Sequence, residues 1–493
     1  ASGPDGDPDQ DGVSNAQEFR VGTHPRGLFR RYFAEGISTD FFTTRFALAN
    51  PSADQVAVVL SFFTDRGTLA THALALAPFP RTPVDAADVP GLTGLAYSTT
   101  VEADRLVVAD RQLSWDTAGY GGHAEAGIDR AATRWYFAEG ATHSGFDLFY
   151  LLQNPGDRDA ELEVRYLLPA GQAPMVKQYK IPAHSRSNIW VDLEDPALAL
   201  TDVSAVITST NGVPIIAERS MYLYVKDQPF GAGHNSAGIV EPNTTWFLAE
   251  GATGSFFDLF VLIPTPPAHP AAIPAPSLLP DGPPIEKRYL GAPDSRFNIW
   301  VDYEDARLAD TAVSTTIEST NGVPVIVERS MWWPGVAGQW TEAHNAPGAT
   351  TTDTRWAMAQ GEQGGAANQA TYILLANTSA AAGDVRVTLL FEDGTTVARD
   401  FQVNGRSRFN VDVGWAFPEA RDRRFGAVVE GLGATPPELV VECATYWDAE
   451  GKHWAAGTDA LAMPLTPATA QMAAASAREA AMAAQATATA PEN

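Results

Sequence analysis

The chain has 493 residues, 45% of them hydrophobic, with 59 acidic against 33 basic side chains and a net charge of −26. So acidic a balance excludes nucleic acid as a partner, because phosphate binding needs clustered Lys and Arg. No run of about 20 apolar residues occurs, so no membrane-spanning helix is expected, and the length amounts to several domains, each able to bury a core.

In chain order, the acidic, Gly/Pro-rich residues 1–27 read as a linker with no signal peptide, the expected look of a mature or trimmed amino terminus. Asp7, Asp9, Asp11, Asn15 and Glu18 fall at positions 1, 3, 5, 9 and 12 of a loop whose sixth residue is Gly12. That spacing wraps oxygens round one point, as a hard cation bound by roughly six to eight oxygens requires. Calcium is the expected ion; the alternative is a solvated acidic linker without one. Together with Phe19-Arg20-Val21-Gly22-Thr23-His24-Pro25, the loop resembles the thrombospondin type 3 and dockerin-like repeats of secreted proteins, over about residues 3–25. The resemblance implies that calcium stiffens the linker. It assigns Asp7, Asp9, Asp11 and Glu18 as side-chain ligands, Val13 as a carbonyl ligand and Asn15 as a ligand through water.

From residue 28 onward one pattern recurs four times. Tyr32-Phe33-Ala34-Glu35-Gly36 returns as Trp135 to Gly140, Trp246 to Gly251 and, altered, Trp356-Ala357-Met358-Ala359-Gln360-Gly361, the glycines lying 104, 111 and 110 residues apart. A repeat this long is an autonomous domain rather than a solenoid unit. Further landmarks keep order: Asn50-Pro51, Asn154-Pro155, Thr265-Pro266 and Asn377-Thr378; then an arginine phrase at Arg81, Arg186, Arg296 and Arg408; then strand phrases such as Glu218-Arg219-Ser220; then His123, His234, His344 and His453. Expected units are 28–129, 130–240, 241–350 and 351–457, each folding independently, followed by an Ala-rich, helix-prone tail, 458–493.

In the second copy, alternation and apolar runs predict strands near 134–138, 146–153, 161–167, 176–181, 187–191, 203–208 and 213–224, with a turn at Pro169-Ala170-Gly171. The predicted fold class is all-β, four tandem antiparallel β-sandwiches. Their order of landmarks resembles immunoglobulin-like modules of secreted bacterial proteins. A propeller is the rival, but its blades are shorter. Pro270, Pro274, Pro276 and Pro280 predict an edge strand or loop in the third copy, because proline donates no ladder hydrogen bond.

Several groups invite chemistry. Glu35, Glu139 and Glu250 with His123, His234 and His344 could form acid–base pairs, but catalytic constellations are built once, and Gln360 cannot act as a base. The expected role is satisfaction of buried backbone or joining of modules. The single cysteine, Cys443, lies in an apolar run and reads as a small core residue. Asp192-Leu193-Glu194-Asp195 and Asp302-Tyr303-Glu304-Asp305 read as helix starts, with a cation site as the alternative. Asn243 and Asn377 match the glycosylation sequon weakly. No phosphate loop, zinc set or nucleophile elbow occurs. The expected protein is secreted or cell-surface and not an enzyme. Its expected role is structural, a filament, stalk or surface-layer subunit that associates head-to-tail with itself. The alternative is an adhesin or glycan-binding array using exposed Trp332, Trp333 and Trp340.

Overall fold

The computed structural model describes residues 3–7, 14–21, 24–116, 120–169, 172–225, 228–265, 269–292, 295–334 and 340–466. Asp9, Asp11, Val13, the Ala170-Gly171 turn, Pro266 and residues 467–493 lie outside these. Among the described residues the fold is all-β, apart from the helix Asn15–Val21 and isolated helical turns.

The second repeat shows the plan. Its eight strands are Arg134–Phe137, Phe146–Asn154, Ala160–Leu167, Met175–Ile181, Ser185–Trp190, Ser204–Ser209, Ile216–Val225 and Gln228–Ala237. One antiparallel sheet has the order one-six-three-four, the other five-two-seven-eight. Both orders recur in the other repeats, the fourth adding Met463–Pro464 beside its first strand. This is a sandwich but not the immunoglobulin one, where the first strand lies beside the second; here it lies beside the sixth. The third strand alternates as its sequence demands: Leu162, Val164 and Tyr166 are fully buried against Trp135, Tyr150 and Ile207, while Glu161 faces solvent.

The landmarks are local anchors. Asn50, Asn154 and Asn377 are fully buried, and each side-chain amide donates to backbone carbonyls across its turn, Asn154 to Arg158, Ile181 and Pro182 at 2.8, 3.1 and 3.1 Å. Trp135, Trp246 and Trp356 donate to carbonyls of the strap before their own strand and to Ile215, Val325 and Leu439. In the third repeat the proline segment departs from expectation. Ala271–Leu278 is an internal strand, paired with Ile285–Gly291 over seven residues, but with Ser314–Glu318 only at Ser277 and Leu278. Pro274 and Pro276, two residues apart, remove donors from the same side, so one ladder breaks and the other survives.

The repeats are not beads on a string. The eighth strands, Gly121–Ala126, Gln228–Ala237, Glu342–Pro347 and Lys452–Leu461, each pack on the next, and the last packs on the first. Small residues allow this approach: a Cβ on Gly122 would meet the Trp447 ring of the fourth repeat at 3.2 Å. Cores are shared too. Tyr32 and Ala34 sit in the second repeat's core, and Ala138 and Ile239 in the third's. Four repeats thus close a ring. The strand Lys452–Leu461 also places Thr458, Asp459 and Ala460 in this sheet, so the helix-prone tail read from residue 458 does not begin there.

One contact closes every junction. The carboxylate of Glu218 accepts the backbone N–H groups of Ala34 and Glu35, at 3.0 and 3.2 Å, and Arg111 at 2.7 Å. Glu328 does the same for Ala138 and Glu139, and Glu442 for Ala249. Asp110 completes the circle on Ala359 and Gln360, at 2.7 and 2.9 Å. Glu218→Ala takes the nearest carboxylate from the buried Arg111 guanidinium and leaves two backbone donors without an acceptor, so it is expected to destabilise the chain by about 3–5 kcal/mol. Urea unfolding followed by tryptophan fluorescence and circular dichroism should show this as one shifted transition. Two separated transitions in the native protein would show instead that the repeats unfold independently.

Candidate functional site

The recurring phrases of the sequence converge on the junctions. Between repeats one and two, Arg111 also donates to the Glu35 carbonyl at 2.9 Å and to Asn235 Oδ1 at 2.8 Å. The Glu35 carboxylate turns to Ser220 Oγ at 2.7 Å, Tyr222 OH at 2.9 Å and His123 Nε2 at 3.1 Å. Between two and three, Arg219, Asn345, Ser330 and His234 repeat these roles around Glu139. Between three and four, Asp459 replaces the asparagine and binds Arg329 at 2.6 Å, while Tyr446 donates to Glu250 at 2.9 Å. The arginine phrase reaches backward across junctions: Arg296 donates to the Ala138 carbonyl, Arg408 to those of Gly251 and Val313, and Arg81 to that of Ala359.

The recurring Glu and His therefore meet, as an acid–base reading requires, but inside a seal. Glu35 is 5% exposed and His123 1%. Burial pushes the Glu35 carboxyl up, but the His123 and Arg111 charges and the Ser220 hydrogen bond outweigh it and hold the group well below the carboxylate range. Glu139 is held down to about 2 in the same way, burial being outweighed by His234 and Arg219. His453 does not belong to this set. It is exposed and pairs with Asp448; Thr458 occupies the fourth histidine position, opposite Thr445 as His234 is opposite Met221.

Glu250, His344 and Asp459 bring ligand atoms within 4.8 Å of one another, a set that could hold a metal. The cation position is already taken by Arg329, 2.7 Å from Glu250 and 2.6 Å from Asp459. Of the acidic loop, Asp7, Asn15 and Glu18 are described. Glu18 is fully buried on the helix Asn15–Val21, and Asn15 N–H to Gly6 and Ala16 N–H to Pro4 fold residues 4–6 onto the first turn.

Asp192 and Asp302 accept the backbone N–H groups of Leu148 and Leu259, and Asp195 and Asp305 cap the following turns, which accounts for both acidic clusters. Cys443 is buried, its thiol pushed far up by burial, and it stands where Arg111, Arg219 and Arg329 stand elsewhere. Asn377 is buried in its turn and cannot carry a glycan. Trp333 is buried as well, donating to the Trp454 carbonyl; Trp332 packs on Phe146 of repeat two, and Trp340 donates to Asp258. These three do not form one exposed stacking face. Among the large side chains left in solvent, Leu193, Tyr303 and Trp415, 71%, 75% and 82% exposed, stand at the same place after the fifth strand of three repeats, while Leu200 and Leu290 are exposed elsewhere.

Among the described residues, hollows lie at two of the junctions. One of about 280 Å³ between repeats two and three is lined by Gln172, Asp202 and Arg296. The other, of about 150 Å³, lies between repeats four and one. Sequence reasoning missed it, since its two walls are more than 230 residues apart.

No family model and no curated relative matches the chain. Among solved structures, the chain is similar to Thermotoga maritima 1070, at 21% identity over 23% of this chain and 97% of that one, with a TM-score of 0.20. It is similar to the Anabaena sensory rhodopsin transducer, at 26% identity over 19% of this chain and 98% of that one, with a TM-score of 0.16. The major pilin of Streptococcus pyogenes covers 85% of this chain and 98% of its own at 9% identity, with a TM-score of 0.14.

The ring interior sets a pH dependence. Burial, and then the charge of Glu218, push the Glu125 carboxyl from 4.5 up to about 8. The native state therefore holds a proton that the unfolded chain has lost, and stability falls as pH rises from about 4.5 to 8. Glu139, depressed to about 2, acts in the opposite direction: its contribution is present above 4.5 and is lost on acidification below it. Melting temperature should decline between pH 5 and pH 9 in calorimetry. Glu125→Gln should flatten that decline; an unchanged slope would place the titration elsewhere.

Proposed function

We propose that this chain is a non-catalytic, secreted or cell-surface protein in which the closed ring of β-sandwich repeats serves as a rigid structural and adhesive platform. The observation that carries this reading is the closing contact of Asp110 with Ala359 and Gln360. A heterologous contact that closes on itself leaves no free end, whereas one that does not close grows into a fibre. The surfaces that would extend a head-to-tail filament are used up within one chain. The recurring acid–base pairs are sealed inside the junctions, which speaks for joining rather than catalysis. Exposed Leu193, Tyr303 and Trp415, spaced round the ring at equivalent positions, suit multivalent attachment. Light scattering should give the mass of one chain at every concentration, with or without calcium. Growth into polymers would favour the filament instead, built through another surface such as residues 467–493.

The linker is proposed to bind calcium. What supports this is the spacing of oxygen-bearing side chains at positions 1, 3, 5, 9 and 12 round Gly12, the pattern that wraps ligands round one hard cation. The ligands would be Asp7, Asp9, Asp11, the Val13 carbonyl, Asn15 through water, and Glu18. Calorimetric titration with calcium should show one site, abolished in Asp11→Ala/Glu18→Ala. Absence of heat with the native chain would leave only an acidic linker.

A further inference from the structure

We propose that the cavity between repeats four and one binds a single neutral pyranose-sized sugar; this rests on the adhesive-platform reading and gives it a site. The argument begins with a broken rule. Three residues beyond the junction arginine or its replacement, each later junction carries a large aromatic: Tyr222, Trp332 and Tyr446. Tyr222 and Tyr446 are buried and donate to the Glu of the preceding repeat, filling the space between the two sandwiches. At the closing junction the same position is Ser114, and the place of the filled ring is an open cavity of about 150 Å³. A cavity of that size holds one six-membered ring.

Its lining combines polar side chains with an apolar wall and is built from both ends of the chain. Repeat one supplies Ser114, Gln112 and Arg45, and repeat four supplies Gln369, Glu362 and Arg424. Both guanidiniums are already paired, Arg45 with Asp85 at 3.1 Å and Arg424 with Glu362 at 2.8 Å. The wall therefore presents fixed donors and acceptors with its charge balanced, which suits hydroxyl groups better than an anion. Trp447 supplies an apolar wall beside Gly122, held by its Nε1–H donated to the Tyr120 carbonyl at 3.0 Å. An aromatic wall with flanking amides and ion-paired side chains is the chemistry that recognises a sugar, apolar on its C–H face and polar at its rim.

The test is ligand-observed NMR on the full chain with glucose, galactose, mannose and N-acetylglucosamine, and with glucuronate and inorganic phosphate as anionic probes. At least one neutral sugar should bind one site per chain, with a dissociation constant on the order of 1 mM, as expected for so small a ligand. Ser114→Tyr restores the aromatic present elsewhere and should abolish binding without lowering the melting temperature. Gln369→Ala, at a partly exposed residue whose backbone is bridged to Gly364, should weaken it about tenfold if one hydrogen bond is lost and serves if the first variant folds poorly. Binding of the anions alone, or of no probe, overturns the proposal. Binding that survives Ser114→Tyr also overturns it, yet leaves the platform reading intact, with attachment at the exposed outer residues. The platform reading stands or falls separately, on the concentration series.

Discussion

Everything in this molecule hangs on a carboxylate that leaves its own sandwich to cap the backbone of the one before it. The first strand of each repeat ends with two N–H groups pointing out of its sheet, and a buried donor left unmade costs about 1–3 kcal/mol. Glu218, Glu328, Glu442 and Asp110 each enter from the seventh strand of the following repeat and take up that debt of hydrogen bonding. At the first three junctions the acceptor, charged and buried, is met by an arginine, and the buried arginine by a second acid and an amide or, at the third, another acid. The phrase Ala-Glu-Gly, the phrase Glu-Arg-Ser and the histidine are thus three parts of one object, split between neighbours.

The same constraint explains why the centre is built of small residues. To bring a seventh-strand carboxylate onto a neighbour's first strand, the eighth strands must lie almost in contact. Gly122 supplies that closeness at the closing junction: a Cβ there would sit 3.2 Å from the Trp447 ring of the fourth repeat. Burying acids in so tight a centre raises the affinity of Glu125 and Glu342 for protons.

Much of one sandwich was legible. Alternation gave the third strand at Glu161 to Leu167, and the apolar runs gave the first, second and seventh. The eighth strand escaped because Gly231-Ala232-Gly233-His234-Asn235-Ser236 has neither period-two patterning nor β-propensity; its residues are chosen for thinness, not for a sheet face. The third-repeat prolines misled because a proline cancels donors on one side of a strand only. Repetition of Glu and His at junctions was legible as structural, but not which repeat they served, since the backbone and hydroxyl partners across a junction lie 183 to 196 residues apart, and 249 at the closure. The immunoglobulin comparison failed on strand order, which depends on pairing rather than on strand count. His453 misled because it sits close in sequence to the true fourth position, Thr458. The cavity at the closure was out of reach, because it exists only once Ser114 and Trp447 are known to face each other.

A ring of four separate subunits obeys its symmetry: any change to one contact is made four times over. Covalent linkage removes that obligation. Here the closing junction has exchanged glutamate for Asp110, arginine for Cys443, glutamate for Gln360 and an aromatic for Ser114, while the other three keep the load. One gene carrying four copies can therefore specialise a quarter of its circumference, and the ring acquires a front.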